Sequence, residues 1–387
     1  FKVMSGTLHA GDDLVNCNDR SSERINQIFV VNGRNRTSVN QLQAGELGAC
    51  IKLKNAKVNQ TLAKKETEPI EPISFPSSRV RNSIRVESKT DYDKVITALN
   101  QMAEEDPTLE VEASKELNQT IVHGQGRMHL DLAKYRIEKV NNLSFDWIRP
   151  KIPFRETITI PSESTYRHKK QSGGSGQFGE ITMKIEPYRP GQSLSHNQQV
   201  RQEDLIELPW GGHLHFNWCI VGGAIDSRFQ NAIKKGLLDQ LKEGPKLGYP
   251  CIDVSVSILD GKMHSVDSND AAFQSAARGG LKKALESNHV TVLEPYYELE
   301  VKAGGDVVGD VMSDLQSRRA IIQGMGSNGS KQVIKAHVPY LEMSEYSSSL
   351  RSMTHGKAKF ERHFLEYKPA EGNTEAKIRE FIQQYQD

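Results

Sequence analysis

Cysteine is sparse in this chain. The four present, Cys17, Cys50, Cys219 and Cys251, show no CxxC spacing, which argues against a zinc site or a disulfide framework and fits a reducing cytoplasm. No apolar run approaches the roughly 20 residues of a membrane helix. The opening Phe1-Lys2-Val3-Met4 is too short for a signal peptide and runs straight into strand-like sequence. A cytoplasmic protein without a membrane partner is expected. An initiator Met is also missing, so the chain is expected to have begun earlier. Charge of one sign is not in excess: 50 Lys and Arg against 49 Asp and Glu leave +1. Any binding of nucleic acid must therefore rest on local clusters.

What is present is a folded composition, 36% hydrophobic and 26% charged, in 387 residues. That length is too great for one core and implies several domains. Residues 1–68 carry short strand-like runs, at 25–31 and 47–53, punctuated by Gly6, Gly11-Asp12, Asn32-Gly33 and Gly45. They read as a small β-barrel, with a polar linker over 63–71.

Residues 73–150 read as βαββαβ, the ferredoxin-like order. A strand at 83–87 precedes a helix that Asp91 would cap and that runs to about 105, with Val95, Leu99 and Met102 on one face. Strands at 109–113 and 120–123 flank a turn at Asn118. A helix over 127–140 and a strand over 144–149 complete the unit. The same order returns over 293–368: a strand at 296–301, a helix capped by Asp306 through 315, strands at 320–325 and 333–339 around a 326–329 turn, a helix at 341–350 and a strand at 359–367. Between the copies, 151–292 is mixed α/β, with strands at 178–187, 213–221 and 252–259 and helices at 228–243 and 267–287. A terminal helix at 374–384 lies in 369–387.

Three glycine-rich stretches invite a nucleotide reading. Gln171-Ser172-Gly173-Gly174-Ser175-Gly176-Gln177-Phe178-Gly179 lacks the GK[ST] ending of a P-loop. Gly124-Gln125-Gly126 follows a strand and opens a helix but has no third glycine, and Gly304-Gly305 reads as a turn. No Walker or NKxD motif occurs, so these residues are expected neither to bind nor to hydrolyse GTP by themselves. His264-Ser265-Val266-Asp267-Ser268 holds the residue types of a hydrolase triad, yet triads are assembled in space. Asp267 reads better as the cap of the following helix, which leaves His264 on a loop that matters only as a binding tip. His213 and His215 share one strand face, a spacing that suits zinc. Leu214, Phe216 and Trp218 take the other face, so the histidines read as the solvent side, and no further ligands are evident. Two basic clusters remain: Arg167, His168, Lys169 and Lys170 before the glycine-rich loop, and Arg351, Lys357, Lys359 and Arg362 near the end. A solvated face is their plain reading and RNA contact the sharper one.

Taken together, these stretches resemble elongation factor G, of the translational GTPase family, downstream of its GTP-binding domain and over essentially the whole chain. Phe1 to Leu8 with Gly11-Asp12 is similar to its barrel domain. Ala103-Glu104-Glu105-Asp106-Pro107 and Gly124 to Leu130 resemble its third domain. Gln171 to Gly179, Ile220-Val221-Gly222-Gly223, Gly248-Tyr249-Pro250 and His264 to Ser268 resemble its fourth. Gly309 to Leu315, Arg318-Arg319 and Arg351 to Gly356 resemble its fifth.

The resemblance implies a barrel, a ferredoxin-like domain, a ribosomal-protein-like domain with a left-handed crossover, and a second ferredoxin-like domain. It implies a monomer whose partner is the ribosome, with its ribosomal RNA, mRNA and tRNA, and places GTP and magnesium in the preceding domain. Gln171, Ser172, Gly173, Gly174, Ser175, Gly176, Gln177, His264 and Asp267 would form a tip in the decoding centre. Arg167, Lys169, Lys170, Arg318, Arg319, Arg351 and Lys357 would contact RNA. Gly124, Gly126 and His129 would couple domains.

The chain also departs from the family pattern. Ser175 stands where the loop commonly has Arg, Arg127-Met128 precedes His129 in place of a GxGELH pattern, and Ala224-Ile225-Asp226 and Gln230 follow Gly222-Gly223 where prolines are common. Pro209-Trp210-Gly211-Gly212 replaces a more generic strand approach. A divergent paralogue is the expectation. The rival readings are a ribosome-recycling or ribosome-protection paralogue, the latter disfavoured by the glycine-rich loop, and a metal-dependent hydrolase built on His264 or on His213 and His215.

Overall fold

The computed structural model describes residues 1–171, 176–286 and 289–385. By contact the chain divides into two units: residues 1–114 with 119–150, and residues from 151 onward with Lys115–Asn118.

In the first unit, glycine turns keep the strands short. β1 (Thr7–His9), β2 (Asp13–Asn16), β3 (Ser22–Arg24), β4 (Ile28–Asn32), β5 (Asn35–Val39), β6 (Gln41–Gln43), β7 (Ala49–Cys50) and β8 (Leu62–Ala63) form three small sheets. They share one core of Val3, Leu14, Ile25, Ile28 and Leu42. The run expected at 25–31 is broken, because the backbone of Ile25 pairs with Gly11 and Asp12 before β4 begins.

β9 (Val80–Arg85), α1 (Lys89–Glu105), β10 (Glu110–Ser114), β11 (Gln119–Gly124), α2 (Arg127–Asn141) and β12 (Asp146–Ile148) follow. Their sheet is antiparallel in the order β10-β11-β9-β12, the split-βαβ arrangement. Val95, Ala98 and Leu99 of α1 and Leu130, Ala133 and Ile137 of α2 are the buried stripes. Asp91 is not the cap. α1 starts after Ser88, and Asp91 lies in the first turn, where the helix dipole favours a carboxylate.

The second unit contains two sheets. One runs β14 (Ser162–Lys170), β15 (Gln177–Pro187), β18 (Val254–Lys262), β17 (His213–Trp218) and β16 (Gln202–Glu207). β17 and β18 are parallel, joined by a crossover through α3 (Gln230–Leu241); the other pairs are antiparallel. α3 and α4 (Asp270–Glu286) cover one face, where Ile181, Met183, Phe216, Val256, Ile258 and Phe273 pack.

β17 corrects the reading of the two histidines. Leu214, Phe216 and Trp218 do enter the core, but His215 is 8% exposed. Its ring bonds Ser255 Oγ at 3.0 Å and Glu203 Oε1 at 2.7 Å. Tyr188 lies over it at 5.1 Å between centroids. Among the described residues no group of three or more His, Cys, Asp or Glu is arranged to hold a metal.

The other sheet joins β13 (Arg155–Ile158), β19 (Val290–Gly304), β21 (Lys331–Pro339) and β20 (Ile321–Asn328), with β22 (Lys359–Pro369) on β19. The ferredoxin-like order returns as β20-β21-β19-β22. α5 (Val308–Ser317), α6 (Tyr346–Met353) and α7 (Thr374–Gln383) complete it. Asp306 does not cap α5, which begins after Val307. β20 continues through the expected 326–329 turn to Asn328. The helix expected at 341–350 is split into a 3-10 turn, Tyr340–Met343, and α6, because Glu345 between them is left-handed at φ 56°. The boundary placed between 292 and 293 falls inside β19. Among the described residues no helix is long and apolar enough to cross a membrane.

Candidate functional site

Two loops leave the tip sheet at neighbouring strand ends. Lys170 of β14 pairs with Gln177 of β15, and the glycine-rich segment connects them. Glu180, three residues along β15, pairs with Lys262 of β18, whose chain continues into His264 to Ser268. Antiparallel pairing of β15 with both neighbours therefore brings the start of β15 beside the His264 to Ser268 segment.

They are also fastened. The Ser268 hydroxyl donates to the Phe178 carbonyl at 2.8 Å and accepts from the His264 N–H at 2.8 Å. The Phe178 N–H donates to the Asp267 carbonyl at 2.9 Å. The Phe178 and His264 rings meet edge to face at 6.4 Å. A side chain at Gly176 would press on the Asp267 carboxylate, its Cβ only 3.1 Å away. A side chain there would require the Asp267 carboxylate to give way by a few tenths of an ångström.

His264 Nδ1 accepts from the Val266 and Asp267 N–H groups, both at 3.3 Å, and faces Asp267 Oδ2 at 3.4 Å. In the neutral ring that leaves the proton on Nε2, a donor on a side chain 54% exposed. Asp267 is therefore not the cap of α4. Asn269 is: its Oδ1 accepts from Ala272 N at 2.9 Å, and the helix begins at Asp270. Ser268→Ala is expected to leave the Phe178 carbonyl and the His264 N–H without their partner, costing about 1–2 kcal/mol locally. Faster amide exchange at His264 and Phe178 in the variant would register the loosening, and unchanged exchange would show that Ser268 fastens nothing.

Gln171 is exposed and Gln177 half-buried. The Gln177 Oε1 pairs with His168 Nε2 at 3.0 Å. Ser172, Gly173, Gly174 and Ser175 lie outside the described residues. Of the basic residues, Lys169, Lys170, Arg351 and Lys357 are exposed. Arg167 pairs with Glu180, and its guanidinium, joined by Lys262, holds that carboxyl below its usual range.

Arg318 and Arg319 are drawn inward and do not present free cations. Arg318 bonds Asp314 at 2.8 Å and the Glu342 carbonyl at 2.8 Å. Arg319 grips Glu294, which is 1% exposed, with two bonds of 2.8 and 3.0 Å, and reaches Glu342 at 3.0 Å. Burial disfavours the Arg319 charge, but the two carboxylates outweigh it and raise its pKa further. Their geometry is that of a staple between β19, the 3-10 turn and α7.

In the first unit His129 joins two stretches that are far apart in sequence. Its Nε2 lies 3.1 Å from Asp106 Oδ2, and its Nδ1 accepts from Gln125 N at 3.2 Å. Burial works to raise the Asp106 carboxyl, but its bonds to Thr108 and the nearby His129 hold it below its usual range. A Cβ at Gly124 would lie 2.8 Å from Leu130, so α2 packs directly on that glycine, whereas Gly126 is the extended residue before the helix.

Comparison with known proteins gives matches along the chain in family order. Residues 75–147 match the model for elongation factor G domain III, 150–288 that for domain IV, and 291–378 that for the elongation factor G C-terminus. Elongation factor G of Jannaschia sp. (strain CCS1) is 34% identical over 97% of this chain and 51% of its own length. An elongation factor G-like protein of Thermotoga maritima is 35% identical over 97% of this chain and 53% of its own. A crystal structure of a Thermus thermophilus protein superposes with a TM-score of 0.81 at 31% identity, covering 98% of this chain and 54% of the other. The chain thus spans about half the length of the curated relatives it matches. With three successive domain models of that family matched in order along it, the chain belongs to the elongation factor G family.

Proposed function

We propose that these residues are the ribosome-binding part of a cytoplasmic, monomeric translation elongation factor that promotes GTP-linked movement of mRNA and tRNA. The observation that carries the reading is the fastening of the His264 to Ser268 loop onto the start of β15, beside the glycine-rich segment. It supports a single tip of Gln171 to Gln177, His264 and Asp267. Gln171 and Gln177 offer amides to sugar hydroxyls and base edges. Lys169 and Lys170 supply salt-dependent attraction to phosphate. Arg351 and Lys357 form a second exposed contact for ribosomal RNA. Gly124, Gly126 and His129 stand where movement would pass between domains. GTP and magnesium would be held by a GTP-binding domain that these residues do not supply.

The test is toe-printing of pre-translocation ribosomes with the full-length parent. A one-codon shift is expected, roughly tenfold slower in His264→Ala, which is the equivalent of one hydrogen bond to a charged partner. An unchanged rate would remove His264 from the site, and binding without a shift would favour ribosome recycling.

A further inference from the structure

A cavity of about 540 Å³ opens on the flank of the tip domain, between edge strand β14, the body of α4 and the C-terminal end of α3. Its construction differs from that of a packing defect. Tyr166 and His168, two apart on β14, line it from the strand side. From the helix side come Ser275, Arg278 and Gly279.

α4 carries two glycines in its middle, where glycine is the poorest helix former after proline. Each has a spatial reason. A Cβ at Gly280 would stand 2.7 Å from Met183 Cε in the core. A Cβ at Gly279 would stand 2.4 Å from Tyr166 Cε1. The second glycine thus lets an aromatic ring lie against the helix as a wall of the cavity.

The charges are graded along the groove. Arg278 is exposed and forms no ion pair or hydrogen bond with a described residue. Lys282, one turn further from the tip, is engaged by Glu286 at 3.9 Å, and Glu243 is the other carboxylate in the lining. Among the described residues the tip-proximal half thus holds a cation with no partner, and His168 there hydrogen-bonds Gln177. A polyanion is admitted from the tip side and repelled at the far end. The cavity volume falls within the ordinary range for small-ligand sites.

We propose that this groove seats one nucleotide of single-stranded RNA continuing from the tip. Its phosphate lies on Arg278, its base on the Tyr166 ring, and Ser275 and Gln240 meet its polar edges. Single-stranded RNA fits better than an acidic peptide, because a peptide of like charges would make no use of the Tyr166 ring, whereas a base stacks on it. The proposal rests on the ribosome-facing reading of the tip and adds a lateral RNA site to it.

The experiment is titration of fluorescein-labelled decauridylate with the 387-residue chain, followed by anisotropy across a salt series. Arg278→Gln is expected to weaken binding about fivefold and to flatten the log K against log salt slope by about 0.7, the value for one phosphate on a single strand. Gly279→Ala, which evicts the Tyr166 ring, is expected to weaken binding about tenfold with no change of slope. Both positions lie on the surface side of α4, and circular dichroism establishes that the variants are folded. Equal affinities for all three proteins overturn the proposal. So does a decaglutamate peptide that outcompetes the RNA and loses its grip in Arg278→Gln, because the groove would then serve an acidic protein tail. The two readings fail separately: flat titrations with an intact toe-print shift remove the groove alone, while graded titrations without a shift remove translocation alone.

Discussion

Glu156→Ala is expected to be among the most destabilising single substitutions in the second unit, at about 3–5 kcal/mol. Glu156 lies on β13 with no exposed surface. Its carboxylate accepts from the N–H groups of Lys246 at 2.9 Å, Leu247 at 2.7 Å and Tyr249 at 3.1 Å. Its own backbone pairs with Pro250 and Ile252. The loop after α3 is therefore wound around one buried anion, and Gly248, at φ +80°, supplies the turn that aims three donors at it. Gly244 has room for no side chain, since a Cβ there would lie 2.4 Å from that carboxylate. Alanine leaves three inward-facing N–H groups without an acceptor, each worth about 1–3 kcal/mol when buried. Urea unfolding followed by intrinsic fluorescence reads the loss as a lower midpoint. A midpoint within error of the unmodified chain would mean that water replaces the carboxylate and that the loop does not depend on it.

Gly236→Val is expected to force α3 and α4 apart. A Cβ at Gly236 would stand 2.2 Å from the Gln274 carbonyl oxygen and 3.1 Å from Ala277 Cβ. Backbone cannot turn aside as a side chain can, so one helix must move. Overpacking of this kind costs about 1–3 kcal/mol, or a fall in melting temperature of roughly 2–12 °C for a unit of this size. α4 begins directly after the His264 to Ser268 loop, so displacement is expected to reach the tip and slow the toe-print shift as well. Gly309→Ala in α5 is the control: nothing lies within 4 Å of the added carbon, and a gain of about 0.5–1 kcal/mol is expected. Equal stability of the Gly236 variant and the unmodified chain would show that the helices accommodate the methyl groups.

Both βαββαβ units were legible because each depends on local signals. The hydrophobic period switches between two and 3.6, and turn residues stand at the joints. Caps were less legible. Asp91, Asp267 and Asp306 are all good capping types, yet the chain turns into helix before the first, three residues after the second and beyond the third. The burial of His215 was hidden for a different reason. Alternation tells which face a residue is on but not what covers that face, and the cover includes the Tyr188 ring beyond β15. Arg319 looked like an RNA-facing cation because its partner Glu294 sits on an earlier strand, and Arg318 because the Glu342 carbonyl that holds it lies 24 residues on. The segments proposed as a tip stood in the sequence as two separate motifs, and Ser268 lay within one of them. Its role as the fastener depends on the register of β15 and β18, which no local pattern carries.

β19 belongs to two neighbourhoods at once. Its first residues, Val290 to Leu293, pair with β13, and the remainder pairs with β21 and β22. At about 3.3 Å per residue, such a strand is a rod near 50 Å long. A load applied at one end is shared along the ladder, which is interrupted by a register shift to β22 between Tyr296 and Tyr297. Bending stiffness, together with that one shift to β22, then sets how closely the two ends of the strand move together.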